Sequence, residues 1–412
     1  MRGWARAVKP THPLPKRWQD CKPPTMLTSG NICLERTGVD GFIKTLPLIE
    51  PFGQMPLFPE ADFMGFWQGR RVLLTGHTGF KGAWLAHWLL LRGARPYGLA
   101  LAPDTQPTLF DQLGLAARMD HAIGDIRDAD LVARRVQEVV PEVAFHLAAQ
   151  ALVRRSYSAP TETFATNVMG TVHVMEALRL ADRHCALVVV TTDKVYENRE
   201  WCHAYRETDA LGGHDPYSAS KAACEIAVAS YRRAFFAQGP VAIGVARAGN
   251  VIGGGDWAQD RIVPDFIRAG LSGQPLSMRN PHASRPWQHV LDPLAGYMTL
   301  AERLFAGETV AQDAFNFGPD SADQRSVAKL LQAAQQYWPV DWTDASDPEA
   351  PHEAGLLALT TDKARSILDW HPRWRFDRAV KRTIGWYRAV EVEGADPIAC
   401  TTADIDAFEA VA

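Results

Sequence analysis

No Cys-x-x-Cys pair occurs in this sequence, and its six cysteines (Cys21, Cys33, Cys185, Cys202, Cys224 and Cys400) are scattered along 412 residues. That spacing argues against a zinc site or a disulfide framework and reads as reduced thiols in a cytosolic protein, with no metal expected. Charge of one sign is also scarce: the net charge is −4, with no basic run of the kind that binds nucleic acid. No apolar run reaches the length of a membrane span; the stretch 83–91 is broken by His87. Periodicity is missing from residues 1–62, which hold nine of the 27 prolines. Such a segment cannot offset its ordering entropy by burial, so it reads as a disordered extension, or as translation begun upstream of Met55 or Met64. Its basic start (Arg2, Arg6, Lys9) lacks the apolar core of a secretory signal.

From Phe66 the pattern sharpens. Arg71-Val-Leu-Leu-Thr75 reads as a strand, Gly76-His-Thr78-Gly79-Phe80-Lys-Gly82 as a glycine-rich turn, and 83–91 as an amphipathic helix. Strand, turn, helix is the context in which backbone N–H groups at a helix start take a pyrophosphate. A second strand, 95–101, ends without the acidic residue that holds a ribose; Asp104 comes three residues later, past Pro103, and spacing leaves NAD and NADP both open. Next come a strand at 120–124 followed by Asp125 and Ile126, a helix at 128–139, and the strand 142–148 leading into Ala148, Ala149 and Gln150. The small alanines would let a cofactor lie against the strand end. Asp125 has two readings, an adenine contact or a turn former. In the long helix at 160–180, spacing favours a solvent-facing Asn167 over a role beside Lys221.

The richest stretch is 191–221. The apolar run 186–190 places Thr191-Thr192-Asp193-Lys194 at the end of a buried parallel strand, the edge at which open α/β sheets bind ligands. After a polar loop, Tyr217 and Lys221 stand four residues apart at the start of a helix expected over 217–238, on one face. An ammonium beside a phenol favours the phenolate, so Lys221 is expected to lower the Tyr217 pKa. For both side chains of Asp193 and Lys194 to reach one ligand, the chain must leave strand geometry after Thr192, because alternate strand residues face opposite ways.

A further strand at 241–246 completes a β-α-β alternation and implies a doubly wound parallel sheet. It runs into Arg247-Ala-Gly-Asn250-Val-Ile-Gly-Gly-Gly-Asp-Trp257, then Asp260-Arg261, a helix at 262–271 and Arg285-Pro-Trp-Gln-His289. Arginines in loops near strand ends suit phosphate oxygens. Residues 292–390 alternate helices with short strands such as 315–317, and the tryptophans at 338, 342, 370, 374 and 386 read as the core of a smaller lobe. The tail after Glu391 is uninformative by pattern.

Taken together, the glycine-rich turn, the Thr191–Asn198 segment, Asp215-Pro-Tyr-Ser-Ala-Ser-Lys221, the 247–257 loop and Arg285-Pro-Trp-Gln-His289 resemble the extended short-chain dehydrogenase/reductases, over about 66–387. The nearest resemblance within them is to the CDP-glucose 4,6-dehydratase branch. The resemblance implies α/β architecture: a Rossmann domain for NAD (63–250, with later segments returning to it), a smaller α+β carboxy-terminal lobe for the nucleotide sugar (251–390), an extension before them and a tail after (391–412). It implies that Gly76, Thr78, Gly79, Phe80, Gly82, Asp125, Ile126, Ala148, Ala149, Gln150, Tyr217 and Lys221 hold NAD. By the same resemblance Tyr217 and Lys221 are the base and its partner, Thr192 bonds the sugar 4-hydroxyl, Asp193 and Lys194 serve the elimination, and Asn250, Arg261, Arg285 and His289 meet the nucleotide sugar. Lysine at 194, where dehydratases of other nucleotides carry glutamate, selects the CDP-glucose branch. A cytoplasmic homodimer in deoxysugar and lipopolysaccharide O-antigen biosynthesis is the implied setting. The rival readings are an epimerase or another nucleotide-sugar dehydratase, and a non-catalytic NAD sensor; the first needs no acid after the strand, and the second would be expected to lose Tyr217 or Lys221.

Overall fold

A computed structural model describes residues 63–346 and 356–411; the expected extension at 1–62 lies outside them. Seven strands form one parallel sheet: β1 (Arg71–Thr75), β2 (Arg95–Ala100), β3 (Asp120–Ile123), β4 (Val143–His146), β5 (Cys185–Thr192), β6 (Val241–Ala248) and β7 (Ala314–Phe317). Their order is β7-β6-β5-β4-β1-β2-β3. The chain starts between what become β4 and β2, works outward to β3, then returns to the other side of β1. That reversal leaves a crevice between the carboxyl ends of β1 and β4, where doubly wound sheets take their ligands.

Burial on both faces explains the strand composition. All eight residues of β5 are buried, and they pair in register with β6 from Cys185↔Val241 to Thr192↔Ala248. One face carries Val188, Val190 and Phe145 against the helices Phe80–Leu91 and Leu291–Phe305. The other carries Leu187, Val189 and Ile243 against the helices Ala129–Val139, Gly170–Ala181 and Pro216–Tyr231. The last of these begins where the sequence says it should: the Asp215 side chain accepts from the Ser218 N–H at 2.9 Å and Pro216 occupies the first turn. Tyr217 is thereby fixed in the first turn, beneath the crevice.

Later segments return to the sheet, and the tail docks against the core. The segment 315–317 belongs to the main sheet as β7, paired with β6 through Ala314↔Val245 and Phe317↔Ala248, because its four residues are buried and apolar enough to extend a two-sided sheet. No break at residue 250 divides the described residues; they fall within one compact unit. The tail is structured: Asp396 caps a helix, Pro397–Glu409, that lays Phe408 between Trp88 (ring centroids 5.8 Å apart) and Trp374 (5.4 Å). Of the five tryptophans expected in a core, Trp370, Trp374 and Trp386 are buried, while Trp338 and Trp342 are half-buried against it.

Removing the Phe408 ring leaves a void between two tryptophans. Phe408→Ala should cost about 3–5 kcal/mol of unfolding free energy, read from urea midpoints; an unchanged midpoint would mean that the tail helix is not docked.

Candidate active site

The glycine-rich turn after β1 has two positions that only glycine can fill. Gly76 sits at φ +80°, and a Cβ there would meet the Ala148 backbone nitrogen at 2.7 Å; at Gly82 it would meet the Gly76 carbonyl oxygen at 2.1 Å. Gly79 differs: the nearest atom to an added Cβ is the Gly76 oxygen at 3.5 Å. Gly79 caps the helix Phe80–Leu91 without a side chain, so the first-turn N–H groups are offered to the crevice. This arrangement suits a pyrophosphate. The Thr78 hydroxyl donates to the Leu101 carbonyl at 2.9 Å and ties the turn to the end of β2. Phe80, Ile126, Ala148, Ala149 and Gln150 line the same crevice, a cavity of about 690 Å³, with Asp104 on its wall beyond β2.

Asp125 also lines the crevice, yet it behaves as the turn former. Its oxygens accept from the Arg127 backbone N–H at 2.8 Å and from the Arg127 guanidinium, which holds its carboxyl below the usual range. Asn167 overturns the solvent-facing expectation. It is 1% exposed, in a π-helical turn (Ala165–Met169) whose extra residue rotates it inward. Its amide accepts from Gln150 N–H at 2.8 Å and donates to Gln150 O at 3.1 Å and to Ser220 Oγ at 2.8 Å. One side chain thus ties the loop after β4 to the Tyr217 helix.

At the end of β5 the chain leaves strand geometry. Thr192 caps a 3-10 turn, Asp193–Val195; its hydroxyl accepts from Lys194 N–H at 3.3 Å and donates to Asp193 Oδ1 at 3.0 Å. Asp193, Lys194, Tyr217 and Lys221 then all border one crevice. Asp193 is 1% exposed and its Oδ2 has no hydrogen-bond partner. A Cβ on Gly249 would lie 2.7 Å from that oxygen, so glycine keeps the approach open. The Lys194 amine stands 4.0 Å from Asp193 Oδ1.

The expected effect of Lys221 on Tyr217 is absent from this geometry. Burial pushes the Tyr217 phenol up to about 12, and a hydrogen bond with the Thr192 hydroxyl and the charge of Arg261 oppose it only in part. Lys221 instead donates to the Val190 carbonyl at 3.0 Å, and burial lowers its own pKa. Desolvation of a phenol outweighs a cation committed elsewhere.

Among the expected substrate contacts, Asn250, Arg261 and Arg285 line the crevice. Arg261 is held by Asp256 at 2.9 Å, and Arg285 donates to the Ser284 carbonyl at 3.0 Å. His289 does not reach the crevice. It is fully buried, 4.7 Å from the Trp374 ring and 5.8 Å from Trp84, and its Nδ1 accepts from Leu291 N–H. Burial pushes its pKa down to about 3. Being bonded next to a strand whose neighbours face the site does not put a side chain in the site.

Two features escaped the sequence reading. Thr191 donates to Glu225 at 2.6 Å, and Glu225 is clasped by the buried Arg247, which also donates to Tyr196 Oη at 2.7 Å. This cluster pins the end of β5 to β6 and to the Tyr217 helix; Glu225 lies four residues beyond Lys221, a spacing that could have signalled it. The other is Lys81, the lysine of the glycine-rich turn, which borders the crevice with Asp193. A turn that binds through backbone N–H groups has no need of that ammonium.

Comparison with known proteins agrees with this architecture. The family model described as GDP-mannose 4,6 dehydratase matches residues 73–383. A CDP-glucose 4,6-dehydratase from Salmonella typhimurium is 44% identical over 349 residues, 83% of this chain and 97% of that protein. A dTDP-glucose 4,6-dehydratase from Streptomyces antibioticus is 31% identical over 334 residues, 77% of this chain and 92% of its own. In fold, the chain matches a Streptomyces venezuelae dTDP-glucose 4,6-dehydratase solved with NAD and TYD bound, with a TM-score of 0.68 at 24% identity over 80% of this chain and 99% of that one.

The burial of His289 has a measurable consequence. Its pKa is near 6.5 when unfolded and about 3 when folded, so the unfolded chain binds the extra proton as pH falls through that window. Its contribution is intact above 6.5 and is lost as the solution is acidified. His289→Leu should therefore flatten the fall in urea stability between those pH values; an unaltered slope would put the imidazole in contact with water.

Proposed function

This chain belongs to the GDP-mannose 4,6 dehydratase family, within the extended short-chain dehydrogenase/reductases, and from that membership we propose that it converts CDP-glucose to CDP-4-keto-6-deoxyglucose and water. The enzyme is an NAD-dependent hydro-lyase. CDP-glucose is the favoured substrate because the 44% identity to a CDP-glucose 4,6-dehydratase covers nearly the whole of that relative. The observation that carries the reaction type is the buried Asp193, its Oδ2 unpartnered, facing the crevice that also holds Tyr217. A 4-epimerase needs the tyrosine but has no use for an acid at that strand end.

The residues present fit NAD: Gly76 and Gly82 cannot carry a side chain, Gly79 leaves the helix start open, and Thr78, Phe80, Ile126, Ala148, Ala149 and Gln150 border the same crevice. When bound, NAD accepts hydride from the sugar's C4, returns it to C6, and brings a positive ring charge that favours the Tyr217 phenolate. Tyr217 takes the proton of the 4-hydroxyl, with Thr192 holding that hydroxyl in line. The resulting ketone acidifies C5–H. A base takes that proton while protonated Asp193 donates to the C6 oxygen, which leaves as water. Lys194, which follows Asp193 on the same turn and borders the crevice, serves the elimination beside it. Arg261 and Arg285 meet the diphosphate oxygens, with Asn250 beside them. Burial of Tyr217 and Asp193 keeps bulk water from the intermediates.

The assembly is a homodimer. Phe164, Met169, Ile226 and Phe235 are exposed on the two neighbouring helical stretches at 160–181 and 216–236, a face that a second copy of the chain would cover. No helix among the described residues is long and apolar enough to cross a membrane, consistent with a cytoplasmic enzyme. Its product is a deoxysugar precursor of the kind used in O-antigen.

Incubation with NAD and CDP-, dTDP-, UDP- or GDP-hexoses should give the alkaline ultraviolet absorbance of a 4-keto-6-deoxy sugar with CDP-glucose alone. Tyr217→Phe should lower turnover about 10²–10⁴-fold and suppress both oxidation and dehydration. Asp193→Asn should spare the oxidation and slow water loss; full turnover in that variant would remove Asp193 as the acid. Ile226→Asp should halve the mass seen by sedimentation, and an unchanged mass would place the interface elsewhere.

A further inference from the structure

Between β6 and the helix Ile262–Ser272 the chain passes through Gly253-Gly254-Gly255, three residues with no side chains of their own to pack. Such backbone takes its course from whatever encloses it. A Cβ on Gly253 would lie 2.8 Å from Val290 Cγ1 and 3.1 Å from the tip of the Phe80 ring. One on Gly254 would lie 2.1 Å from the Trp386 ring, and one on Gly255, at φ +78°, would lie 2.5 Å from Leu109 Cδ1. The Gly254 carbonyl accepts the indole N–H of Trp84 at 2.9 Å.

Phe80 and Trp84 belong to the helix Phe80–Leu91, whose start is left open for the pyrophosphate. Trp84 is fully buried, so breaking its bond to Gly254 would strand a donor away from water. The same indole stands edge-on to His289, 5.8 Å away, on the short strand Gln288–His289 that pairs with Val251–Ile252. The three glycines lie between groups assigned to the nucleotide sugar: Asn250 precedes them, and Asp256 follows them and holds Arg261 at 2.9 Å. A second support comes from the helix Phe376–Tyr387, where the Tyr387 hydroxyl donates to the Asp256 carbonyl at 2.6 Å. Neither Trp386 nor Tyr387 borders the crevice. The loop is thus held on one side by the helix that serves the cofactor and on the other by a helix that does not.

We propose that Trp84 is a positioning residue that couples the two halves of the crevice, so that NAD bound at the glycine-rich turn orders the loop 250–257 and raises the affinity for the nucleotide sugar. The identity of the second ligand rests on the CDP-glucose reading above. A pyrophosphate on the open N–H groups steadies the first turn of the helix, where Phe80 lies, and with it the indole one turn on. The glycine backbone beside them loses conformations in the same step, and a nucleotide sugar arriving second has less disorder to remove. Trp84 does not itself border the crevice, so it acts through Gly254. Linkage makes the effect mutual: the nucleotide sugar tightens NAD by the same factor by which NAD tightens it.

Hydrogen exchange and calorimetric binding of CDP, which cannot react, test this together. In the unaltered protein NAD alone should slow exchange of the 251–257 amides, and CDP should bind about 5-fold or more tighter with NAD present. No slowing on addition of NAD overturns the proposal. Failure of CDP to bind under either condition overturns the nucleotide reading instead, and the exchange measurement still decides the coupling. Trp84→Phe keeps a ring in the space and removes the N–H; it should bind NAD alone with little change, lose the protection at 251–257 and bring the factor for CDP near one. An unchanged factor in that variant contradicts the assignment. Tyr387→Phe loosens the loop from its other support, so it should weaken CDP equally with and without NAD and leave the factor intact. If Tyr387→Phe removes the factor as fully as Trp84→Phe does, the indole has no special part and the proposal falls. Should Trp84→Phe not fold, exchange in the unaltered protein carries the test: protection confined to the glycine-rich turn, with none at 251–257, is the contrary result.

Discussion

The point on which the structure depends is the place where β5 stops. Eight buried residues carry that strand through the middle of the sheet, and at Thr192 the backbone turns into a 3-10 turn held by the Thr192 hydroxyl. A regular strand would have sent Asp193 and Lys194 to opposite faces. The turn brings the carboxylate to the crevice, next to a glycine whose missing side chain leaves room beside its buried, unpartnered oxygen. Displacement of that turn by a residue would turn Asp193 away from the crevice and leave the phenol without an acid beside it.

What holds the turn in place lies beneath it. Arg247 and Glu225 form an ion pair with both side chains almost wholly buried, and Thr191, Tyr196 and Asn316 bond to it in series. Despite burial, Glu225 keeps the Arg247 guanidinium charged. Such a pair adds little net stability over an apolar equivalent, but removing one partner strands the other charge at a cost of about 3–5 kcal/mol. Its effect here is to fix geometry: it joins β5, β6, β7 and the Tyr217 helix at the level of the site. Asn167 does the same on the other side of the crevice, between the loop after β4 and Ser220.

Much of this was legible in the sequence, for reasons that can be stated. Strand-turn-helix at 71–91 and the buried run at 185–192 are set by local composition, so the sheet and the crevice followed from them. Tyr217 and Lys221 share a helix face because four residues separate them. The sequence misled where the outcome depended on a neighbour it does not name. Asn167 turned inward because a π-helical turn inserts a residue, and spacing assumes none. His289 sits in a motif whose other members face the crevice, yet two tryptophans distant in sequence, Trp84 and Trp374, enclose it. The pKa of Tyr217 reflects burial, which only the packed structure reports. Lys81 was visible as a letter in the glycine-rich turn, but nothing local tells that its amine reaches a tyrosine 216 positions away.

One site does three kinds of work on a sugar that does not leave between them: oxidation at C4, loss of water across C5 and C6, and reduction at C6. The direct measurement is the fate of the C4 hydrogen. With CDP-glucose deuterated at C4, in ordinary water, the product should carry the deuterium in its C6 methyl group, transferred within the molecule. Deuterium found in the solvent, or remaining at C4, would contradict a single closed site built at the end of β5.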